Sequence, residues 1–322
     1  EGMGRALSET TGESMAAKPE ARPLHTPPGL CVSRSEAAYN RLRRPMSSTP
    51  PTPEEAALHA LFARGRVALL TGAGISTASG IPAYRGVGAA TRTRPPIQHA
   101  EFLRSQRARA RYWRRSAVGY PQVQAALPNA AHQDLTRLAH AGKSHGLITQ
   151  NVDGLHVRAG HPEHVELHGA LREVVCLGCG AISARDALQP FLLAQMAETF
   201  ALPLADGDAA LDDASDAQPF PEVTCSRCTG LLKPHVVFFG ENVPRPRVDA
   251  AMALVDDASA LAVLGSSLSV YSGLRFVHRA KRRGIPIAIV THGPTRGDPD
   301  CSLRLDADVT QVVGRVLSAL GI

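Results

Sequence analysis

Residues 67–86 read VALLTGAGISTASGIPAYRG. An apolar run of strand character stops at a loop of Gly, Ala, Ser and Thr, and that loop closes on Tyr84 and Arg85. A strand ending on so bare a backbone lets main-chain groups come close to something else, because glycine carries no Cβ to stand in the way. Gly72-Ala73-Gly74 has the opening of a dinucleotide-binding turn. The place of that fingerprint's third glycine is taken by Thr77, however, and the next glycine is Gly80. On this feature alone a tight turn accounts for the glycines as well as a phosphate cradle does.

The same arrangement returns along the chain. Apolar runs at 147–148, 261–264 and 285–290 are followed by TQNVDG, GSS and THGPT, as 67–70 is by TGAG. Helical patterns at 248–255 and 274–283 lie between them. Buried strands alternating with helices predict an α/β fold with a Rossmann-like parallel sheet. In such sheets ligands gather beyond the carboxyl ends of the strands, which is where these polar clusters fall. Order begins at Thr52-Pro53-Glu54-Glu55, where Thr caps a helix, Pro suits its first turn and Glu55 completes a capping box. Leu58, Leu61 and Phe62 mark that helix's apolar face, and Gly65 ends it.

The composition fits an ordinary globular protein: 322 residues, 44% hydrophobic and 20% charged. A net charge of +6 suits an anionic small molecule or an acidic partner and is no nucleic-acid footprint by itself. No apolar run approaches the roughly 20 residues that cross a bilayer. The expectation is a cytoplasmic protein that binds neither membrane nor nucleic acid. Residues 1–51, rich in Pro, Ser, Thr and Arg, are expected to be a disordered extension, with the folded start close to Met46. Glu9, Glu13, Glu20 and Glu36 argue against reading that extension as a targeting segment.

Four of the six cysteines form two Cys-x2-Cys pairs, Cys176/Cys179 and Cys225/Cys228, separated by 45 residues. This spacing is a four-thiolate zinc signature, and four protein ligands leave no open position, so the metal is structural. Two redox pairs are the alternative; Cys31 and Cys301 stand apart. The pairs fall in a stretch, 171–231, that breaks the α/β pattern and carries acidic residues Asp206, Asp208, Asp212, Asp213 and Asp216. It is read as a small zinc-binding module inserted into a catalytic domain formed by 52–170 and 232–322.

GAGISTASGIPAYRG, TQNVDGLH, ELHG, the two cysteine pairs, FFGE and GSSLSV occur in one order, and together they resemble the sirtuins, NAD-dependent protein deacylases. RPPIQHAEF, RYWRRSAVGYPQ and LKPHVVFFGE look most like the class II branch. The resemblance implies that Gly72, Ala73 and Gly74 bring backbone amides to the pyrophosphate of NAD. Residues 75–86 would then be the mobile cofactor loop, with Ile75, Ser76, Ile81 and Pro82 in the NAD site and Tyr84 and Arg85 folding over the nicotinamide ribose. Gly265, Ser266, Ser267 and Thr291 complete that site. Two residues depart from the family pattern: Ala83 stands where an aspartate is usual, and Thr291 where an asparagine is common. Both bear on NAD affinity.

The resemblance further implies that Gln150, Asn151, Val152 and Asp153 form the nicotinamide and ribose pocket and that His168 is the catalytic base, with Asn151 and Asp153 beside it. The acyl oxygen of an acylated-lysine protein substrate attacks the ribose, nicotinamide leaves, and a ribose hydroxyl deprotonated by His168 closes on the acyl carbon. Residues 236–242 and 266–271 match the segments that clamp the substrate peptide as an added strand; two strands ending in turns would read the same. Protein mono-ADP-ribosyl transfer and a weakly active NAD-binding sensor remain as alternatives. Finally, eight arginines between Arg92 and Arg115 face one acid, Glu101. A solvated basic helix explains them. The spacing of Tyr112 and Arg115 also resembles the Tyr-x-x-Arg with which class III sirtuins hold a dicarboxylic acyl group.

Overall fold

The computed structural model describes residues 50–83, 96–196 and 220–322, together with the backbone of 201–203 and 209–211. The expectations for the N-terminal extension up to residue 49, for Tyr84 and Arg85, and for the acidic residues between 206 and 216 therefore lie outside the described residues.

The chain enters through helix α1 (Pro53–Arg64), whose capping box forms in both directions between Thr52 and Glu55, at 3.2 and 3.3 Å. Strand β1 (Val67–Thr71) follows, then two single turns of 3-10 helix over Ala73–Ile75 and Thr77–Ser79. Next come α2 (His99–Arg104), α3 (Gln106–Ala125), α4 (Ala130–His140), β2 (Ser144–Thr149), the one-turn α5 (Leu155–Arg158) and β3 (His164–Glu166). The middle of the chain holds β4 (Gly169–Cys176), β5 (Ile182–Ala184), α6 (Arg185–Ala194), a hairpin of β6 (Ala201–Pro203) and β7 (Ala209–Leu211), and β8 (Leu232–Val236). It ends with α7 (Arg245–Asp256), β9 (Ala260–Leu264), α8 (Tyr271–Arg283), β10 (Ile287–Val290), β11 (Leu303–Leu305) and α9 (Val309–Ala319).

Six strands form one parallel sheet in the order β11-β10-β9-β1-β2-β3. Both faces are covered, as the continuous apolar character of the strands requires. Val67 and Leu69 of β1 pack with Leu58, Phe62, Leu135, Leu138, Val312 and Val316 of α1, α4 and α9. Ala68 and Leu70 face the other way, onto Val255 of α7 and Leu274, Phe276 and Val277 of α8. The chain leaves β1 toward β2 on one side and later returns to β9 on the other. The direction of winding thus reverses beside β1, and a crevice opens there at the carboxyl ends of the strands.

A second, antiparallel sheet, β5-β4-β8, carries the cysteine pairs. Its core joins Val174, Leu192, Phe220, Val223 and Leu232 to Trp113 and Ala117 of α3. That helix divides the arginine cluster among distinct surroundings. Arg109 pairs with Glu222 at 2.9 Å, Arg114 is buried against the Phe220 ring, and Arg111 meets Glu101 at the surface. Arg109 and Arg114 therefore do not belong to a solvated basic face, one of the two readings the sequence leaves open. The apolar partners of α3 come from distant parts of the chain, Val174, Leu192 and Phe220 among them.

Candidate active site

The loop leaving β1 crosses the loop leaving β9 at contact distance. The amide of Gly72 donates to the Leu264 carbonyl at 3.1 Å, and that of Gly74 donates to the Gly265 carbonyl at 2.8 Å. A Cβ on Gly74 would lie 2.9 Å from Gly265, and one on Gly72 would lie 2.7 Å from the Ser266 Cβ. Gly265 itself sits at φ +66°, where a side chain would be strained and would also strike the Ile75 amide. The amides of Gly72 and Gly74, expected at a pyrophosphate, are thus spent on the neighbouring strand's exit. Glycine is needed because two backbones touch.

Beyond this crossing lies a cavity of about 820 Å³. Its wall includes Gly72, Ala73, Gly74, Ser76, Ile81, Pro82, Gln150, Asn151, Val152, Asp153, His168, Gly265, Ser266, Ser267 and Thr291, all expected from the sequence. Ile75 is the exception. Its side chain is buried in the core under the loop and faces away from the cavity, because a loop laid against a sheet must anchor one apolar side chain. The segments 236–242 and 266–271 both line the same cavity, as do Tyr112, Arg115 and Ser116.

Hydrogen bonds fix the polar groups. Ser76 Oγ donates to Asp153 Oδ2 at 2.8 Å and accepts from Asn151 Nδ2 at 3.1 Å; the same Asn151 amide reaches the Gly72 carbonyl at 3.2 Å. Asp153 Oδ1 accepts from the Leu155 amide at 2.9 Å. Burial raises the Asp153 carboxyl above its ordinary pKa, while the Leu155 and Ser76 donors hold it down. Gln150 Nε2 donates to Ser266 Oγ at 2.8 Å.

His168 leaves β3 for β4, and the next residue can only be glycine. Gly169 adopts φ +80°, and a Cβ there would collide with the His235 carbonyl of β8. The imidazole Nδ1 lies 2.8 Å from the Gln150 carbonyl, which can only accept, so Nδ1 carries the proton and Nε2 the lone pair. Nε2 lies 2.8 Å from Ser272 Oγ. Burial pulls the His168 pKa below the ordinary histidine value; the Gln150 bond opposes this, and the charges of Arg247 and Arg275 add to it. The residue is therefore held as a neutral base.

Three groups escaped the sequence reading. Asn129 caps α4 through its side-chain oxygen and donates Nδ2 to the Ile75 carbonyl at 2.8 Å and to Ser79 Oγ at 3.0 Å, pinning the glycine loop from below. Behind it His132, His156 and His161 are packed together, the first two rings 4.7 Å apart. His132 Nδ1 accepts from the Asn129 amide, and His156 Nε2 meets Thr71 Oγ1 at 3.0 Å. Ser272 is the third. In the sequence it is one serine among many; only the fold brings it to His168.

The four cysteine sulfurs lie within 4.8 Å of one another. Cys176 and Cys228 are 3.4 Å apart and Cys179 and Cys225 4.0 Å, far from the ~2.05 Å of a disulfide and close to the roughly 3.8 Å edge of a tetrahedral zinc–thiolate site. Amides of Gly178, Cys179 and Arg227 point at the sulfurs, and a Cβ on Gly230 would press within 3.1 Å of Cys176 Sγ. One four-sulfur cluster fits a structural zinc held by Cys176, Cys179, Cys225 and Cys228 better than two separate redox pairs.

A parallel sheet whose strand ends line one cavity and an inserted four-cysteine sheet define a class, and the Sir2 family model matches residues 72–272. The chain belongs to the Sir2 family. It is 47% identical over 249 residues to the NAD-dependent protein lipoamidase sirtuin-4, mitochondrial, of Bos taurus, covering 75% of this chain and 78% of that protein. It is also 47% identical over 256 residues to an NAD-dependent protein deacetylase of Bordetella bronchiseptica, covering 79% and 93%. A solved structure described as Sir2-p53 peptide-NAD+ superimposes with a TM-score of 0.66 at 32% identity, covering 82% of this chain and 98% of that one.

Two outcomes follow for stability. Burial lowers the pKa of His132 to about 3 and of His161 to about 4, and that of His156 well below the ordinary value. The unfolded chain therefore binds protons near pH 6.5 that the folded chain refuses, so stability present above pH 6.5 falls as the pH drops toward the folded values. Denaturant unfolding should show a loss of about 4 kcal/mol between pH 7.5 and 5.5, with a slope that averages about 1.5 protons and approaches three at the acid end. His161→Asn should reduce the acid-end slope by about one proton, and a flat profile in the wild type would contradict the neutral triad. For the cysteines, metal analysis should find about one zinc per chain. Cys176→Ser and Cys225→Ser should lower the yield of folded protein and the Tm; a well-folded, metal-free variant with unchanged Tm would remove the metal from the fold.

Proposed function

We propose that this chain is an NAD-dependent protein-lysine deacylase of the sirtuin class II branch. It takes acylated-lysine proteins as substrates and releases nicotinamide and O-acyl-ADP-ribose. The observation that carries this reading is the convergence of Asn151, Asp153 and His168 on one cavity that is also lined by the two strand-exit segments 236–242 and 266–271. High identity to relatives named as NAD-dependent deacetylases and a lipoamidase supports it. We assign catalysis to 52–170 and 232–322 and metal-dependent support to 171–231. No helix among the described residues is long and apolar enough to cross a membrane, and a cytoplasmic protein without nucleic-acid partners is the accompanying reading.

Bound NAD supplies the glycosidic bond that is broken and the ribose that receives the acyl group. The side chains act around it. Asp153, whose two oxygens already accept, takes an N–H of the nicotinamide carboxamide, and Asn151 holds the ribose beside it. Gln150 orients the ribose with its side chain while its carbonyl fixes the His168 tautomer. Phe238, at 5.3 Å from Tyr112 and 5.2 Å from Phe102, forms an aromatic wall that keeps water from the acyl group. His168 then removes a ribose hydroxyl proton at Nε2.

Mass spectrometry of the products from NAD and an acyl-lysine peptide tests the reading. O-acyl-ADP-ribose is expected; ADP-ribosylated protein would indicate the transferase, and NAD bound but unconsumed would indicate the sensor. His168→Ala should abolish deacylation while calorimetry still detects NAD binding, and substantial residual deacylation would remove His168 from the chemistry.

The acyl preference belongs to the same reading. Tyr112 and Arg115 lie three residues apart on α3, and both line the cavity beside the aromatic wall. A guanidinium there can grip a carboxylate with two parallel bonds, so dicarboxylic acyl groups such as glutaryl should be preferred over acetyl. A charge-assisted contact is worth roughly 1.5–3 kcal/mol, so Arg115→Ala should lower kcat/KM on a glutaryl-lysine peptide about ten- to a hundredfold. Turnover of the acetyl peptide should change little. Equal losses on both peptides would place Arg115 in folding or NAD binding.

A further inference from the structure

His168 Nε2 has one lone pair, and Ser272 occupies it. The Gln150 carbonyl fixes the proton on Nδ1, so across the 2.8 Å to Nε2 the Ser272 hydroxyl must be the donor. Ser272 is placed with little freedom. It lies in the first turn of α8 and is buried, and the adjoining Gly273 packs so closely on the Gln150 side chain that any Cβ there would collide with it. Gln150 therefore holds the base through its carbonyl and braces the helix that carries Ser272. Both His168 and Ser272 face the cavity.

A sugar hydroxyl can reach the base in two ways: by displacing Ser272 from Nε2, or through Ser272. We infer that Ser272 is a proton relay between the ribose hydroxyl and His168. In the relay the ribose O–H bond breaks toward Ser272 Oγ as the Ser272 O–H proton passes to His168 Nε2. The electron pair left on the ribose oxygen forms the bond to the acyl carbon. Ser272 ends neutral, and one positive charge moves from the acyl centre to the imidazole. The position is suited to this because a hydroxyl both donates and accepts, so it serves the neutral and the protonated imidazole without moving. Displacement would instead strand a buried hydroxyl next to the cavity.

The inference rests on the deacylase reading, and the test separates the two. In sirtuin chemistry nicotinamide departs before the base acts, so exchange of labelled nicotinamide into NAD, in the presence of acyl peptide, reports the earlier step alone. Ser272→Ala should lower deacylation roughly ten- to a hundredfold while exchange stays within roughly threefold of wild type. Ser272→Thr, which keeps the hydroxyl, should restore most of the loss. Independently of turnover, ¹⁵N spectra of histidine-labelled protein should show the His168 Nε2 resonance, identified by its disappearance in His168→Ala. That resonance should move in Ser272→Ala and hold its place in Ser272→Thr. Deacylation unchanged or faster in Ser272→Ala would mean that the serine only blocks the base, and equal loss of exchange and deacylation would mean that it serves binding; either overturns the relay. A wild type that performs neither reaction would overturn the deacylase reading itself, and the relay with it.

Discussion

Two backbones touch beside β1, and much of the site follows from that contact. The Gly74 amide on the Gly265 carbonyl and the Gly72 amide on the Leu264 carbonyl lock the exit of β1 to the exit of β9. The distance admits no Cβ on either side. Because the winding of the sheet reverses at β1, the locked loops form the floor of the crevice where a parallel sheet accepts ligands. Ser76 can hydrogen-bond both Asn151 and Asp153 only because the loop bearing it is held down over the end of β2. The glycines thus act first on the fold, and through the fold on the chemistry.

What holds that floor from beneath is polar, which is costly in a core. Asn129 ties the loop to α4, and His132 completes the cap on Asn129 with a neutral nitrogen. His132 Nε2 and His156 Nδ1 have no hydrogen-bond partner among the described residues. Such groups usually find partners, and leaving them buried costs of the order of 1–3 kcal/mol each. The cluster keeps its shape only while the imidazoles are uncharged. A proton on His132 Nδ1 would remove the acceptor of the Asn129 amide, loosening the residue that pins the glycine loop. Loop order and proton uptake are thereby tied together through one asparagine.

The sequence makes the large features legible because their causes are local. An apolar run broken by small residues marks a buried strand and its exit, Thr52 and Glu55 mark a helix start, and a pair of Cys-x2-Cys knuckles marks a metal site. The site residues are legible for a different reason: they sit at strand ends, where the motif and the topology coincide. What stays hidden joins distant parts of the chain. Asn129 and Ile75 are 54 positions apart, and His168 and Ser272 are 104 apart. Neither pairing leaves a periodic trace. The arginines of α3 show the same limit, since charge alone reads as a solvated face until Glu222 and Phe220 arrive from across the inserted sheet.

That helix also explains why a structural metal matters to a cavity it does not line. One side of α3 gives Trp113 and Ala117 to the core of the cysteine-bearing sheet, while Tyr112, Arg115 and Ser116 line the cavity. Arg185, the first residue of α6, reaches back to the Ser116 carbonyl and hydroxyl and lies 4.7 Å from the Tyr120 ring centre and 5.7 Å from that of Trp113. Cys176 and Cys225 belong to the same apolar cluster as Trp113. Four thiolates within 4.8 Å of one another repel, so the cation that neutralises them also supports the apolar cluster that holds α3 in place. The Tyr112 end of the cavity is consequently shaped from the cysteine-bearing sheet, and the Asn151 end from the glycine crossing. The two ends rest on separate supports, which lets a substitution in the inserted sheet alter the first and spare the second.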